Sequence, residues 1–336
     1  MSGADIPYQL RPNKHVERQL FWELLEHIDH FNPIRDTAYI SMGGRFLEDF
    51  KQVHAKFGTK KLLSIESDSV VHERQVFNKP IGALICRRMT SGELVTDFER
   101  ITGELQAKNY IVWLDYASSK DRLAQLGEFE SLVKKLAAND VVKITMNASL
   151  RTLGEPKVGE SQEDFQKRAF ERFKNKLGTY FPTAAGLDHN NITGDGIPVI
   201  LMAAIKNAAL AGISSSSNVS VKPLSAFLYN DGFHDMLTVT CILLDKSMQA
   251  DFFASTRLDA WEFTASDWSA PIKIFIPDLS LKERVTIDGN LFGKSDDEVH
   301  SELTFSFNEN RSISFEIFKN YVTHYRRYPG FFRAGT

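Results

Sequence analysis

A chain of 336 residues with 43% hydrophobic and 25% charged side chains has the balance of an ordinary folded protein. It can bury a large core, which excludes a disordered or low-complexity polypeptide. A formal net charge of −3 excludes a polybasic nucleic-acid binder over the chain as a whole, and two cysteines, Cys86 and Cys241, exclude a disulfide framework or a cysteine metal cluster and point to a reducing, cytoplasmic compartment.

The first residues, MSGADIPYQLRPNKHVE, lack the apolar stretch of a secretory signal, and no run of about 18 apolar residues predicts a membrane span. The first predicted element is an amphipathic helix. Val16, Leu20, Phe21, Leu24, Leu25 and Ile28 recur at three- and four-residue steps, with Asn13 suited to the N-cap and Asn32-Pro33 to the end. Residues 37–42 read as a short strand turned by Gly43-Gly44, and Leu47, Phe50, Val53 or His54, and Phe57 mark a helix face closed by Gly58. A second strand in KKLLSIESD ends at Glu66, and a short helix follows, stopped by Pro80. Residues 82–88 give a third strand, and Ser91 caps a helix running to Ile101. NYIVWLDYAS is a fourth strand ending at Asp115. A helix with Leu123, Leu126, Phe129, Leu132, Val133 and Leu136 inward leads to a fifth strand, VVKITMNAS.

Five apolar strands alternating with helices are the signature of a parallel sheet covered on both faces, and right-handed crossovers make it doubly wound. Residues 150–195 break the rhythm and read as an insertion carrying a charged helix with Phe165, Ala169, Phe173 and Leu177 on one side. An apolar helix, IPVILMAAIKNAALAGI, restores the pattern. Two apolar runs then flank NDGFH, and Asp-Gly is a strong hairpin signal, so strands at 225–229 and 236–244 close the sheet as an antiparallel pair. The expected fold is α/β: a doubly wound, mostly parallel, seven-stranded sheet closed by an antiparallel hairpin. It comprises an N-terminal helical segment (1–36), a Rossmann-like domain (37–249) and a mixed C-terminal extension (250–336).

Strand, glycine turn, helix, strand ending in an acid, further βα units and a closing hairpin: over residues 37–245 this order resembles the class I S-adenosylmethionine-dependent methyltransferases. The resemblance implies that Gly43 and Gly44 pass under the amino-acid part of S-adenosylmethionine, where a Cβ would block close approach of the backbone. Ser41 stands where the family usually has an acid, and offers a hydroxyl to the same group. Glu66, roughly twenty residues past the glycines, would accept hydrogen bonds from the ribose diol. Thr90, Ser91 and Glu93 are the candidates near the adenine. Asp115 lies at the carboxyl edge, where open α/β sheets bind ligands, and would face cofactor or acceptor as the catalytic residue, a general base if burial raises its pKa. Tyr116 beside it could stack on a ring.

The function so implied is O- or N-methyl transfer to an unidentified acceptor. The alternative is a methyltransferase-like fold used as a binding or scaffolding module for a protein or nucleic acid, motivated by the missing acid before Gly43. Other features have blander readings. Arg87-Arg88 can form a surface ion pair, and Asn147 and His234-Asp235 suit turns. Asp188, His189 and Asp195 match no metal spacing, so no metal is expected. No G-x-S-x-G elbow occurs. The basic-aromatic tail HYRRYPGFF, 324–332, has the composition of a nucleic-acid surface, and equally that of a segment docking on its own domain.

Overall fold

The computed structural model describes residues 10–183, 186–214, 217–232 and 234–330. The expected strand–helix alternation is present. It runs β1 (Ala38–Ser41), α2 (Glu48–Phe57), β2 (Leu62–Glu66), α3 (Ser69–Phe77), β3 (Leu84–Arg88), α4 (Ser91–Thr96), α5 (Phe98–Leu105), β4 (Tyr110–Asp115), α6 (Arg122–Lys135) and β5 (Val141–Asn147). A helix α1 (Pro12–Asp29) precedes β1. After β5 come α7 (Gln162–Leu177), α8 (Gly196–Ala211), the long hairpin β6 (Val219–Asp231) and β7 (His234–Asp245), and α9 (Gln249–Thr256).

The sheet order is β3-β2-β1-β4-β5-β7-β6-β8. The first five strands in this order are parallel, β7 is antiparallel to both of its neighbours, and the short β8 (Ile272–Ile274) is parallel to β6. The fold class is the expected one with an eighth strand added. β8 falls within PIKIFIPD, an apolar run that reads as a strand, but its place beside β6 in this sheet follows only from the fold.

Local chemistry accounts for where elements differ from expectation. α1 opens on Pro12, whose missing N–H is harmless in a first turn, and Arg11 holds the N-cap position. Asn13 is engaged elsewhere: its side chain donates to Asn230 O (3.2 Å) and accepts from Ile276 N (2.7 Å). The helix expected over 91–101 is two helices broken at Asp97, and its cap is Thr90, which forms a reciprocal capping box with Glu93. β6 begins six residues before the expected 225, running through Pro223. The register shifts between Pro223 and Ser225, so a bulge accommodates a proline that has no N–H to give the ladder.

One sheet face packs on α1, α2 and α9 through Phe21, Trp22, Trp113, Phe50 and Phe252. The other packs on α4 to α8, and the insertion helix α7 enters this core by the four residues its stripe predicts, Phe165, Ala169, Phe173 and Leu177. A third cluster joins Val16 and Leu20 of α1 and Phe227 and Tyr229 of β6 to Ile287, Val299, Phe318 and Tyr321. These last lie on or near α10 (Leu281–Asp288), α11 (Asp296–Glu302) and α12 (Arg311–His324). The C-terminal segment is thus built onto the sheet and the first helix together. No described helix is long and apolar enough to cross a membrane.

Candidate functional site

Two antiparallel steps, β5 to β7 and β7 to β6, return β6 to the direction of β5. The C-terminal ends of β1, β2, β4, β5 and β6 therefore share one edge. The chain winds outward from β1 through β2 to β3 in one direction, and from β4 to β5 in the other. The crevice between β1 and β4 is therefore the switch point, where open α/β sheets bind ligands.

Ser41, Gly43, Gly44, Glu66 and Asp115 all lie at this edge. Ser41 is buried, and its hydroxyl has no hydrogen-bond partner among the described residues. Gly43 is held by its own surroundings: a Cβ there would come within 2.6 Å of Phe50 and of Ser64 Oγ and 2.7 Å of Leu47. Gly44 differs. It has φ +51° with open space around it, so it is glycine for its backbone conformation and leaves room for a neighbour. Glu66 is half-buried and accepts from Asp68 N at 2.9 Å through one oxygen.

Asp115 is surrounded by cations that the sequence did not connect to it. Arg18 of α1 approaches within 3.3 Å and lies over the Trp113 ring at 4.1 Å. Burial alone would raise the Asp115 pKa, but Lys14, Arg18, Lys143 and Arg11 together hold it below the usual carboxylate range. The carboxyl is ionised at neutral pH, and the condition for a strong general base is not met. Arg18 also pairs with Glu17 and lies 3.9 Å from Asp49. Glu17 in turn accepts from Lys143 Nζ at 2.7 Å, with both side chains fully buried. Lys143 Nζ sits 3.8 Å from the Phe21 ring centre and 3.7 Å from that of Trp113, a cation held against two aromatic faces. Burial pushes Lys143 down to about 8 and Asp49 up to about 6. At the β6 end, Asp231 receives Arg11 through both oxygens (2.9 and 2.8 Å) and Lys14 at 3.3 Å.

α1 therefore crosses the carboxyl edge and fixes a charged network over β4, β5 and β6. The signal was present in the sequence. Glu17 lies on the Phe21, Leu24 and Ile28 face, where a charge interrupts the apolar stripe, and Lys143 interrupts the apolar run VVKITM. A charge in a buried stripe needs a partner. Which partner it takes follows only from the fold. Between α1 and α2, beside this network, a cavity of about 30 Å³ is lined by His15, Arg18, Trp22, Glu48 and Asp49, room for about one water.

The remaining sequence candidates lie apart from this edge or are engaged within the fold. The Tyr116 ring is buried in the core, and its hydroxyl donates to Glu128 at 2.5 Å. Glu93 accepts from Thr90 N in the capping box. Arg87 pairs with Glu104. Asn147 donates to Ala117 O and accepts from Ser149 N, and Asp235 accepts from Asn230. Asp188 caps a short turn, His189 approaches Glu163 and Asp195 pairs with Lys273, so these three do not converge. In the tail, Arg327 is bidentate to Glu23 (2.6 and 2.7 Å) and lies over Phe263, His324 stacks on Phe263, and Tyr328 donates to Pro277 O. The tail docks on its own protein through Tyr328; Phe331 and Phe332 lie outside the described residues, as does Phe233 of the hairpin turn.

A comparison with curated proteins finds no match. Among solved structures, the plantazolicin methyltransferase BamL is similar at 14% identity and TM-score 0.32, with 68% of this chain and 85% of that one covered. Geranyl diphosphate C-methyltransferase from Streptomyces coelicolor A3(2) is similar at 12% identity and TM-score 0.28, with 68% and 82% covered. Both likenesses are remote, and no point of chemistry is taken from them. The family described as "Putative O-methyltransferase" matches from residue 6 to residue 336, nearly the whole chain, and this protein belongs to it.

Proposed function

We propose that this protein transfers a methyl group from S-adenosylmethionine to an oxygen of a small-molecule acceptor at the carboxyl edge of β2, β1 and β4. The reading rests on family membership and on one observation above others: Gly44, Glu66 and the ionised Asp115 occupy the ends of three adjacent strands at the switch point of the sheet.

The described residues suit this donor. Gly44 leaves open space beside a backbone that carries no Cβ. The second carboxylate oxygen of Glu66 takes no bond from a described residue and suits a ribose diol. Ser41 Oγ, buried without a partner, can serve the polar end of the amino-acid moiety. S-adenosylmethionine supplies, when bound, a methyl group activated on a positively charged sulfur. Asp115 is a fixed carboxylate at the rim, held ionised by Lys14 and Arg18. Its low basicity makes it an orienting group: it would accept a hydrogen bond from the acceptor hydroxyl and align that oxygen, whose proton would leave to solvent as the methyl is taken up, with catalysis resting on positioning and electrostatics. Trp113 and the Glu17–Lys143 pair hold Arg18 and so keep the field in place.

Calorimetric titration with S-adenosylmethionine and S-adenosylhomocysteine tests the reading. Saturable binding is expected, weakened at least about tenfold by Glu66→Ala, a loss of about 1.4 kcal/mol. Folded protein that binds neither ligand at millimolar concentration refutes it. The second reading, a binding module without catalysis, is favoured by one feature, a serine where an acid would meet the cofactor's ammonium. Under it, Glu66→Ala leaves the cellular role of the protein intact.

A further inference from the structure

Beyond the switch point, on the β4–β5 side of the same edge, a cleft of about 880 Å³ opens between the start of α6 and the flank of α7. It is lined by Lys120, Asp121, Arg168, Arg172, Asn175 and Lys176, with Leu123 and Ala124 from the first turn of α6. We propose that this cleft binds the phosphate or pyrophosphate group of the methyl acceptor, an assignment that rests on the methyltransferase reading and names its substrate class.

The charge count carries the argument. Arg168 is neutralised locally by Glu160, which takes it through two bonds of 2.8 and 2.7 Å. Lys120, Arg172 and Lys176 are not so matched: among the described residues, none has a carboxylate within ion-pair distance. Arg172 Nη1 donates to Leu153 O at 2.9 Å, and Lys176 Nζ reaches Thr152 O at 3.3 Å and Ser119 O at 3.5 Å. Carbonyls of the rim thus orient these cations without neutralising them.

Arg122 lies beneath, 1% exposed, with Nη2 donating to Asn147 O (2.6 Å) and Thr152 Oγ1 (2.8 Å). Its guanidinium lies over the Phe173 ring at 5.1 Å, but Nε and Nη1 have no hydrogen-bond partner among the described residues, a costly arrangement for a buried cation. Burial lowers the pKa of Lys176, Arg122 and Arg172 lower it further, and among the described residues Asp121 is the carboxylate that opposes them. Three lining cations without an ion-pair partner among the described residues, set against one lining carboxylate and with Arg122 buried beneath them, match a multivalent anion better than a single carboxylate ligand. The start of α6 adds backbone N–H groups at the positive end of a 14-residue helix, whose N-cap Asp121 makes no side-chain cap bond.

Position ties the cleft to the reaction. Arg122 bonds the last residue of β5, the side chain of Asn147 reaches back to Ala117 O, and residues 116–119 lead directly from Asp115 to Lys120. An acceptor anchored here by its phosphate extends toward the Asp115 rim. The cations form one compact cleft and not a stripe, which fits a small molecule better than a nucleic-acid strand.

The test is titration calorimetry of the full chain with inorganic pyrophosphate at low salt, in the wild type, in Arg172→Gln/Lys176→Gln and in Lys167→Gln/Lys174→Gln, a charge-matched control on the same helix outside the cleft. Saturable binding that weakens with salt, falls at least about tenfold in the double variant and persists in the control is expected. Both altered side chains lie at the surface, and an unchanged melting temperature verifies folding. Absence of binding at about 10 mM pyrophosphate, an affinity worth under about 3 kcal/mol, or equal affinity in the double variant, overturns the assignment. A short single-stranded oligonucleotide that binds tighter than pyrophosphate through the same residues also overturns it, in favour of a nucleic-acid partner. Titration with S-adenosylhomocysteine is scored separately: donor binding without pyrophosphate binding removes only the acceptor class, whereas pyrophosphate binding without donor binding removes the methyltransferase reading and the acceptor role with it.

Discussion

Asp49→Asn should make this protein more stable at neutral and alkaline pH. Asp49 lies in the first turn of α2, is 2% exposed, and lies 3.9 Å from the Arg18 guanidinium. Burial raises its pKa from 3.8 to about 6, the nearby Asp115 adds to the rise, and Arg18 only partly opposes it. An acid whose pKa is higher in the folded state binds its proton more tightly there. Its contribution is therefore fully present below pH 3.8 and is lost as pH rises through about 6. The shift of roughly two units corresponds to about 3 kcal/mol. Asparagine keeps the shape and stays neutral, while Arg18 retains Glu17 and Asp115. Urea denaturation followed by tryptophan fluorescence should show equal stabilities near pH 4 and a growing advantage for Asp49→Asn that levels off, at up to about 3 kcal/mol, above pH 7. A variant less stable than wild type at pH 8, or a difference independent of pH, refutes the account of a desolvated carboxylate.

Other outcomes follow from the same coordinates. Gly43→Ala should lower stability by about 1–3 kcal/mol, because its Cβ meets Phe50, Leu47 and Ser64 at 2.6–2.7 Å. Gly44→Ala should cost about 1–2 kcal/mol through its positive φ alone; thermal denaturation of the two variants checks both. Thr90→Ala removes the hydroxyl of the capping box and should cost about 1 kcal/mol in urea denaturation, with donor binding unchanged.

The strands of the first half were legible because each is a short apolar run between turn residues, and the hairpin because Asp231-Gly232 is a strong turn signal. The glycine turn, Glu66 and Asp115 were legible as strand ends. Their company was not. Lys143 lies more than a hundred residues from Glu17 and Arg18 in sequence, and meets them only because α1 lies across β5 and β4. The strand through Pro223 was hidden because a bulge restores a ladder that proline alone would end. Tyr116 was read from adjacency to Asp115, but successive strand-end residues point to opposite faces, and its ring went to the core with Glu128.

The three residues of β8 have a consequence for any shortened form of this protein. β6 is thirteen residues long, and Phe227–Tyr229 are the ones that β8 pairs with, while Leu224 O accepts from Ala265 N farther along the same flank. Deleting the chain from residue 258 onward would strip both coverings and leave a long, apolar strand with an open row of donors and acceptors, a template for adding further copies. It would also uncover Val16 and Leu20 of α1. A truncated protein should therefore self-associate, eluting from a sizing column ahead of the intact chain, so the last eighty residues act as a guard against aggregation as well as a part of the core.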